Sequence, residues 1–256
     1  MSEDLDRVMG AEKGNEQQTS HLPQVATKPY YKTEFGILYC GDALEVMAGL
    51  EANSVDLMVT DPPYFLPAQH YQTRRQFRRN FSDLGILEFF FRIVFEQVQR
   101  VLADNGSFYW FCDGQSYPLF YWYSYFFTKN VRPLIWDKKT SINGYGWRHQ
   151  HELILWGEMP KSKPIKTGDG DIIRCPAVKI DERKHPAEKP KWLIESFIEK
   201  STDEGSVVFD PFLGSGTTAI ACEELGRRWI GIELNPDYCE IAKGRIDPIA
   251  RQGKLF

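Results

Sequence analysis

Twelve residues near the carboxyl end restrict the fold of this 256-residue chain more than any others: Val207-Val208-Phe209-Asp210-Pro211-Phe212-Leu213-Gly214-Ser215-Gly216-Thr217-Thr218. An apolar, β-rich run enters a loop with two glycines, and a helix-forming run leaves it. Glycine lets the backbone approach a ligand closely, and the start of a helix adds N–H groups without partners. Strand, glycine loop and helix in that order belong to an α/β sheet. A phosphate-binding P-loop needs Lys after the last glycine; Thr217 stands there, which excludes it. A dinucleotide fingerprint wants a third glycine, and Ala219 or Ile220 would have to serve. Gly-x-Gly alone makes a plain turn as often as a ligand site. Here the next strand, Trp229 to Ile232, runs into Glu233, where a carboxylate can accept hydrogen bonds from ribose hydroxyls.

The rest of the chain alternates in the same manner. Glu34 to Tyr39 reads as extended and Gly41-Asp42 as a turn, and Leu44, Met47 and Leu50 share a helix face. Val55 to Thr60 is a short apolar run stopped by Asp61-Pro62-Pro63-Tyr64, because proline cannot continue a central strand. Leu87 to Leu102 reads as an amphipathic helix with Phe90, Phe91, Val94, Phe95, Val98 and Leu102 on one side. Asn105-Gly106 is expected to end it, and Ser107 to Cys112 to form the next strand. After Trp136 the texture changes to turns, Lys, Gly and Trp around one strand, Glu152 to Trp156. Regularity returns with helix Trp192 to Lys200, strand Val207 to Phe209, helix Thr217 to Leu225, strand Trp229 to Ile232 and helix Pro236 to Arg245. The expectation is a doubly wound, mostly parallel α/β sheet in residues 29–256. Residues 138–183 would be an inserted region and residues 1–28 a flexible acidic tail.

Composition excludes several classes. The 31 basic and 35 acidic residues leave a net charge of −4, so the chain is no uniformly basic nucleic-acid binder, although a local basic patch is allowed. No apolar run reaches the ~18 residues of a membrane span, and the acidic amino terminus is no secretory signal. Cys40, Cys112, Cys175, Cys222 and Cys239 are odd in number and scattered. They read as reduced thiols in the cytoplasm, with neither a metal site nor disulfides indicated. His149 and His151 find no third ligand at suitable spacing. The aromatic run Phe120 to Phe127 is core or an oligomer face, and its density favours a homodimer contact.

Asp-Pro most often marks a turn. In Asp61-Pro62-Pro63-Tyr64, however, a stiffened acceptor cluster adjoins an aromatic face, which suits a planar group bearing an NH2. Asp61 and the Pro62 carbonyl can accept its two hydrogens while Tyr64 stacks on the ring.

This loop, followed much later by Phe209-Asp210-Pro211-Phe212-Leu213-Gly214-Ser215-Gly216-Thr217, resembles the β group of amino-type DNA methyltransferases, in which the catalytic motif precedes the cofactor motif. Gly41-Asp42-Ala43-Leu44, Trp136-Asp137-Lys138, His151-Glu152, His185-Pro186-Ala187-Glu188-Lys189-Pro190 and Gly231 to Tyr238 follow in that family's order. The resemblance implies a Rossmann-like methyltransferase fold that uses S-adenosyl-L-methionine. Asp61, Pro62, Pro63 and Tyr64 would hold a base flipped out of duplex DNA. Asp210, Phe212, Gly214, Ser215, Gly216 and Thr217 would line the methionine end of the cofactor, with Glu233 on its ribose and Asp42 at its adenine. His185 and Lys189 belong to the segment closing over the methionine part. Asp at the first position of the catalytic motif favours adenine N6. The alternatives are cytosine N4, an RNA-directed relative, and a non-catalytic DNA-binding partner subunit.

Arg74, Arg75, Arg78 and Arg79 form two doublets a helical turn apart, suited to phosphates. Lys138, Lys139, Tyr145, Trp147 and Arg148 mix basic and aromatic side chains in the target-recognition position, where base edges are read. Double-stranded DNA is the expected partner. No nuclease or helicase segment is present, which leaves a separate restriction endonuclease in the same system open as a partner.

Overall fold

The computed structural model describes residues 25, 27–62, 84–139, 146–163, 168–179, 181–182 and 188–252. The first half of the chain supplies β1 (Tyr31–Lys32), β2 (Gly36–Cys40), α1 (Ala43–Ala48), β3 (Val55–Thr60), α2 (Leu84–Val101), β4 (Leu102–Cys112) and α3 (Tyr117–Tyr125). Then come β5 (Asn130–Asp137), β6 (His151–Glu158), β7 (Ile172–Arg174) and α4 (Lys191–Ser201), and finally β8 (Val207–Asp210), α5 (Thr217–Leu225), β9 (Arg228–Glu233) and α6 (Pro236–Gln252). Among the described residues nine strands form one sheet in the order β1-β2-β9-β8-β3-β4-β6-β5-β7. The pairs from β2 through β4 are parallel; β6 runs antiparallel to both β4 and β5, and β1 to β2.

The central strands are mostly apolar on both sides because helices cover both faces. In β4, Phe108, Trp110 and Cys112 join one buried cluster while Tyr109 and Phe111 join the other. The first cluster takes Val46 and Met47 from α1, Phe91, Val94, Phe95 and Val98 from α2, and Phe120 from α3. The second takes Leu193, Ile194 and Phe197 from α4, Ala219 and Ile220 from α5, and Ala242 and Ile246 from α6. Phe95 stacks on Trp110 at 4.5 Å and Tyr109 on Phe197 at 4.1 Å, one pair on each side of the sheet. The α/β sheet is therefore doubly wound and mostly parallel, as its motif order implies.

Several boundaries differ from the sequence reading. The helix α2 ends at Val101 and β4 begins directly, so Asn105-Gly106 lies inside β4. The ladder with β3 jumps from Val55–Leu102 to Leu57–Ser107, which leaves Ala103 to Gly106 as an irregular step. Glycine is required there, since a Cβ on Gly106 would stand 2.9 Å from the Asp56 carbonyl oxygen. Strand β6 lies inside the main sheet and β7 continues it, although both come from the segment 138–183 read as an insert. In α3, Phe120 and Ser124 are buried while Trp122, Tyr125 and Phe126 are exposed, so the aromatic run divides between core and open surface. No helix among the described residues is long and apolar enough to cross a membrane.

Candidate active site

Strands β3 and β8 are sheet neighbours, yet their chain connections diverge: β3 leads to β4 on one side, and β8 leads to β9 on the other. Open α/β sheets place their ligand crevice beyond the carboxyl ends of strands at such a point. A cleft opens there, lined by Thr60 at the end of β3 and Asp61 after it, by Asp210 at the end of β8 and Phe212 to Ser215, Thr217 and Thr218 after it, and by Phe111, Glu188, Lys189 and Ile194.

The glycine loop is built for close approach. Gly214 and Gly216 have φ of 56° and 89°, in the left-handed region, and a Cβ on Gly216 would stand 3.0 Å from the Ala242 Cβ. The Leu213 N–H donates to the Ile232 carbonyl at 2.8 Å, which ties the loop to β9. Arg245 of α6 donates through Nη1 to the Ser215 carbonyl and Oγ, both at 2.8 Å, and through Nη2 to Glu188 at 2.6 Å. One guanidinium thus fastens the glycine loop to the segment before α4.

Asp210 is 5 % exposed. Its carboxylate accepts from Thr60 Oγ1 at 3.0 Å, Thr218 Oγ1 at 2.7 Å and the Phe212 N–H at 3.1 Å. Burial pushes this carboxyl up to about 7, although all three donors pull the other way. The Glu233 carboxylate accepts from the Gly214 N–H at 2.9 Å and the Asn235 N–H at 2.7 Å; burial raises it as well, against those donors. Asp42 caps α1 by accepting from the Leu44 N–H at 2.8 Å, and the Gly41 N–H donates to the Glu233 carbonyl at 3.0 Å.

Four adjacent parallel strands, β2, β9, β8 and β3, therefore each deliver one acid at the carboxyl edge, in the order Asp42, Glu233, Asp210, Asp61. At about 4.8 Å per strand interval the row is about 14 Å long.

Asp61 has a different setting from its neighbour. Its Oδ2 lies 2.6 Å from the Lys189 ammonium, which is also 3.2 Å from Glu152 Oε2 and 4.7 Å above the Phe111 ring. Glu152, at the start of β6, in turn forms an ion pair with Lys138 just after β5. Lys189 is 8 % exposed; burial pulls its ammonium down, but the two carboxylates outweigh burial and raise it. Burial likewise pushes Glu152 up, and the Lys189 and Lys138 ammoniums hold it below its ordinary value.

The residues expected from sequence are distributed unevenly. Asp61, Lys189, Asp210, Phe212, Gly214, Ser215 and Thr217 meet in one cleft. Pro62 is buried beside Asp61, Gly216 caps α5, and Glu233 and Asp42 extend the row away from it. Lys138, read as a DNA contact, forms an ion pair with the half-buried Glu152 carboxylate, which needs a cation there. Lys139 and Arg148 are exposed, and Trp147 is 98 % exposed. Pro63, Tyr64, Arg74, Arg75, Arg78, Arg79, Tyr145 and His185 lie outside the described residues.

Sequence reasoning assigned no role to Thr60, Thr218, Arg245 or Glu152. Thr60 had a readable signal, as a polar residue closing an apolar strand before the Asp61-Pro62 loop. Thr218, one residue inside the helix after the glycines, had a weaker one. Arg245 acts across a long chain separation and had none, and Glu152 was named only within the His151-Glu152 match, with no role attached.

Comparison with known proteins shows the family and the fold. A model of a DNA methylase family, of N6/N4 type, matches residues 55–244. The Type II methyltransferase M.HpaI of Haemophilus parainfluenzae is 30% identical over 248 residues, 82% of this chain and 74% of that protein. The PvuII DNA methyltransferase, cytosine-N4-specific, superposes with a TM-score of 0.72 at 19% identity, over 90% of this chain and 96% of its own. TTHA0409 of Thermus thermophilus, solved with S-adenosyl-L-methionine, superposes with a TM-score of 0.65 at 25% identity, over 83% of this chain and 95% of its own.

Proposed function

Because this chain belongs to the N6/N4 DNA methylase family, we propose that it moves a methyl group from S-adenosyl-L-methionine to the N6 amine of adenine in duplex DNA, with Asp61 as the acceptor for that amine. The family carries the methyl donor and the DNA substrate; the adenine and the residue roles are our own reading. The observation that carries it is the row of four acids. Asp42 suits the adenine of the cofactor, Glu233 its ribose, Asp210 its ammonium end and Asp61 the target amine, in the order of the strands. Asp210 fits a cationic ligand, since a buried carboxylate whose hydrogen-bond partners are two hydroxyls and one N–H gains from a positive charge.

When bound, S-adenosyl-L-methionine supplies an electrophilic methyl on its sulfonium. The exocyclic amine of adenine is a poor nucleophile because its lone pair is delocalised into the ring. Asp61 and the Pro62 carbonyl accept its hydrogens and draw the nitrogen toward a tetrahedral geometry, which frees that pair. The N–CH3 bond forms as the S–CH3 bond breaks, and Asp61 takes the proton that nitrogen must lose. Positioning and fixed charge supply the rate. The base must leave the duplex to reach the cleft, which costs a few kcal/mol, and stacking on Tyr64 offsets part of that.

Lys139, Trp147 and Arg148, exposed at the same edge of the sheet, support a DNA-facing surface there, with the four arginines of 74–79 as phosphate contacts. The Type II relatives support a separate restriction endonuclease as a partner in the same system, and five free thiols support a reducing, cytoplasmic setting. The test uses methyl-labelled S-adenosyl-L-methionine and unmethylated duplex DNA, followed by digestion to nucleosides and mass spectrometry. Labelled N6-methyladenine is expected; label on cytosine N4 would overturn the adenine reading and keep the family.

A further inference from the structure

The charges behind Asp61 alternate: Asp61, Lys189, Glu152 and Lys138 come from four separate parts of the chain and are joined by three ion pairs. A buried lysine paired with one carboxylate alone would neutralise it and leave a weak acceptor. Lys189 is instead shared, at 2.6 Å from Asp61 and 3.2 Å from Glu152. We propose that Glu152 is a positioning residue for methyl transfer: by drawing on the Lys189 ammonium it fixes where Asp61 points and how much negative charge Asp61 keeps for the amine. Lys138 trims that pull from the far side by engaging Glu152 itself. The inference rests on the proposed role of Asp61 and deepens it.

The alternative is that the cluster merely holds β5, β6 and the segment before α4 together. The two roles separate because the sharing is a balance that can be tipped both ways. Glu152→Gln keeps the shape and one acceptor oxygen but removes the charge. Lys189 then loses the charge that competed for it and is drawn more fully to Asp61, which lowers the Asp61 pKa and dulls it as an acceptor. Lys138→Gln removes the outer cation, so Glu152 takes more of Lys189 and the Asp61 pKa rises. Among the described residues, Asp210 at the end of β8 and Cys112 at the end of β4 also face Asp61, and both variants leave them in place.

The measurement is single-turnover methyl transfer against pH at saturating S-adenosyl-L-methionine, with cofactor affinity and thermal unfolding recorded in parallel. We expect Glu152→Gln to lower the plateau rate about tenfold to a hundredfold with cofactor affinity unchanged, and to move the acid limb to lower pH. Lys138→Gln should move the acid limb to higher pH. Limbs that stay in place in both variants, or move in the same direction, would overturn the inference. Should Glu152→Gln fail to fold, the direction seen with Lys138→Gln decides alone. Asp61→Asn separates the two failures. If it stays active, the role of Asp61 itself is wrong; if it is inactive while Glu152→Gln and Lys138→Gln behave as the parent, only the positioning role falls.

Discussion

Asp210 and Asp61 stand at the carboxyl ends of neighbouring strands, line the same cleft, and are stabilised by opposite means. Asp210 is surrounded by neutral donors: two threonine hydroxyls and a backbone N–H. Asp61 is held by a lysine that another carboxylate shares. Neutral donors satisfy the oxygens without cancelling the charge, so burial still lifts Asp210 to about 7. An ammonium does cancel charge, so the second site needs Glu152 to restore part of it. The first arrangement suits an acid that is to receive a cation, and the second suits an acid that must be ionised and aimed before its substrate arrives.

The largest effect that would sharpen this contrast is on the Asp61 side. Asp61→Asn should lower the methylation rate about 10²- to 10⁴-fold while S-adenosyl-L-methionine still binds, as measured by single turnover and calorimetry. A parallel loss of cofactor affinity would merge the two acids into one function.

Proton linkage probes the Asp210 side. Its folded pKa is raised above the ordinary 3.8, so between about pH 4 and 7 the folded protein holds a proton that the unfolded chain has released. Stability without cofactor should therefore fall as pH rises through that window, by on the order of a few kcal/mol. Glu233, raised by burial too, adds in the same direction. Urea midpoints at pH 5 and pH 8 check this, and Asp210→Asn should flatten the slope. A slope that Asp210→Asn leaves intact would assign the linkage elsewhere.

The same substitution should weaken S-adenosyl-L-methionine binding at pH 8 by about tenfold to a hundredfold, the size of a lost charged hydrogen bond at about 1.5–3 kcal/mol. Thermal stability at that pH should not fall, because a buried charge has been removed. The smallest effect is that of Gly216→Ala. A left-handed φ of 89° together with the Ala242 contact should cost about 1–2 kcal/mol in chemical denaturation, with no shift in the Asp61 acid limb.

The same pair of acids marks what the sequence disclosed. Both Asp61 and Asp210 could be read as strand-end acids, because apolar runs stopped by proline or glycine fix such positions locally. The helix before β4 and the strand itself were recognisable from periodicity, but their junction was not. The irregular step at Ala103 to Gly106 exists only once β3 lies alongside. Likewise α6 reads as ending at Arg245 yet continues to Gln252 through Pro248, with Tyr31 hydrogen-bonded to Asp247 beyond the expected end. The environments of the two acids divide in the same way. The Thr218 and Phe212 donors to Asp210 are near neighbours in the chain, whereas the Lys189, Glu152 and Lys138 system is spread across three segments that only the fold brings together. Basic side chains in a variable loop look alike on paper, and Lys138 turning inward while Lys139 stays exposed depends on a carboxylate arriving from the next strand.

The seam between β3 and β8 joins segments far apart in the chain: the Thr60 and Asp210 side chains meet across 150 positions. Everything up to β7 can emerge from the ribosome, and even pair into half a sheet, without any part of the glycine loop having been synthesised. Closing so long a loop is entropically late compared with the local βαβ units on either side. Neither half can carry out the transfer alone, so competence arrives in one step, when the last strands dock. A chain interrupted in its final third would consequently be inert rather than partly active, and a split protein made as two fragments on either side of the β7–α4 connection should regain a cleft only by reassembly.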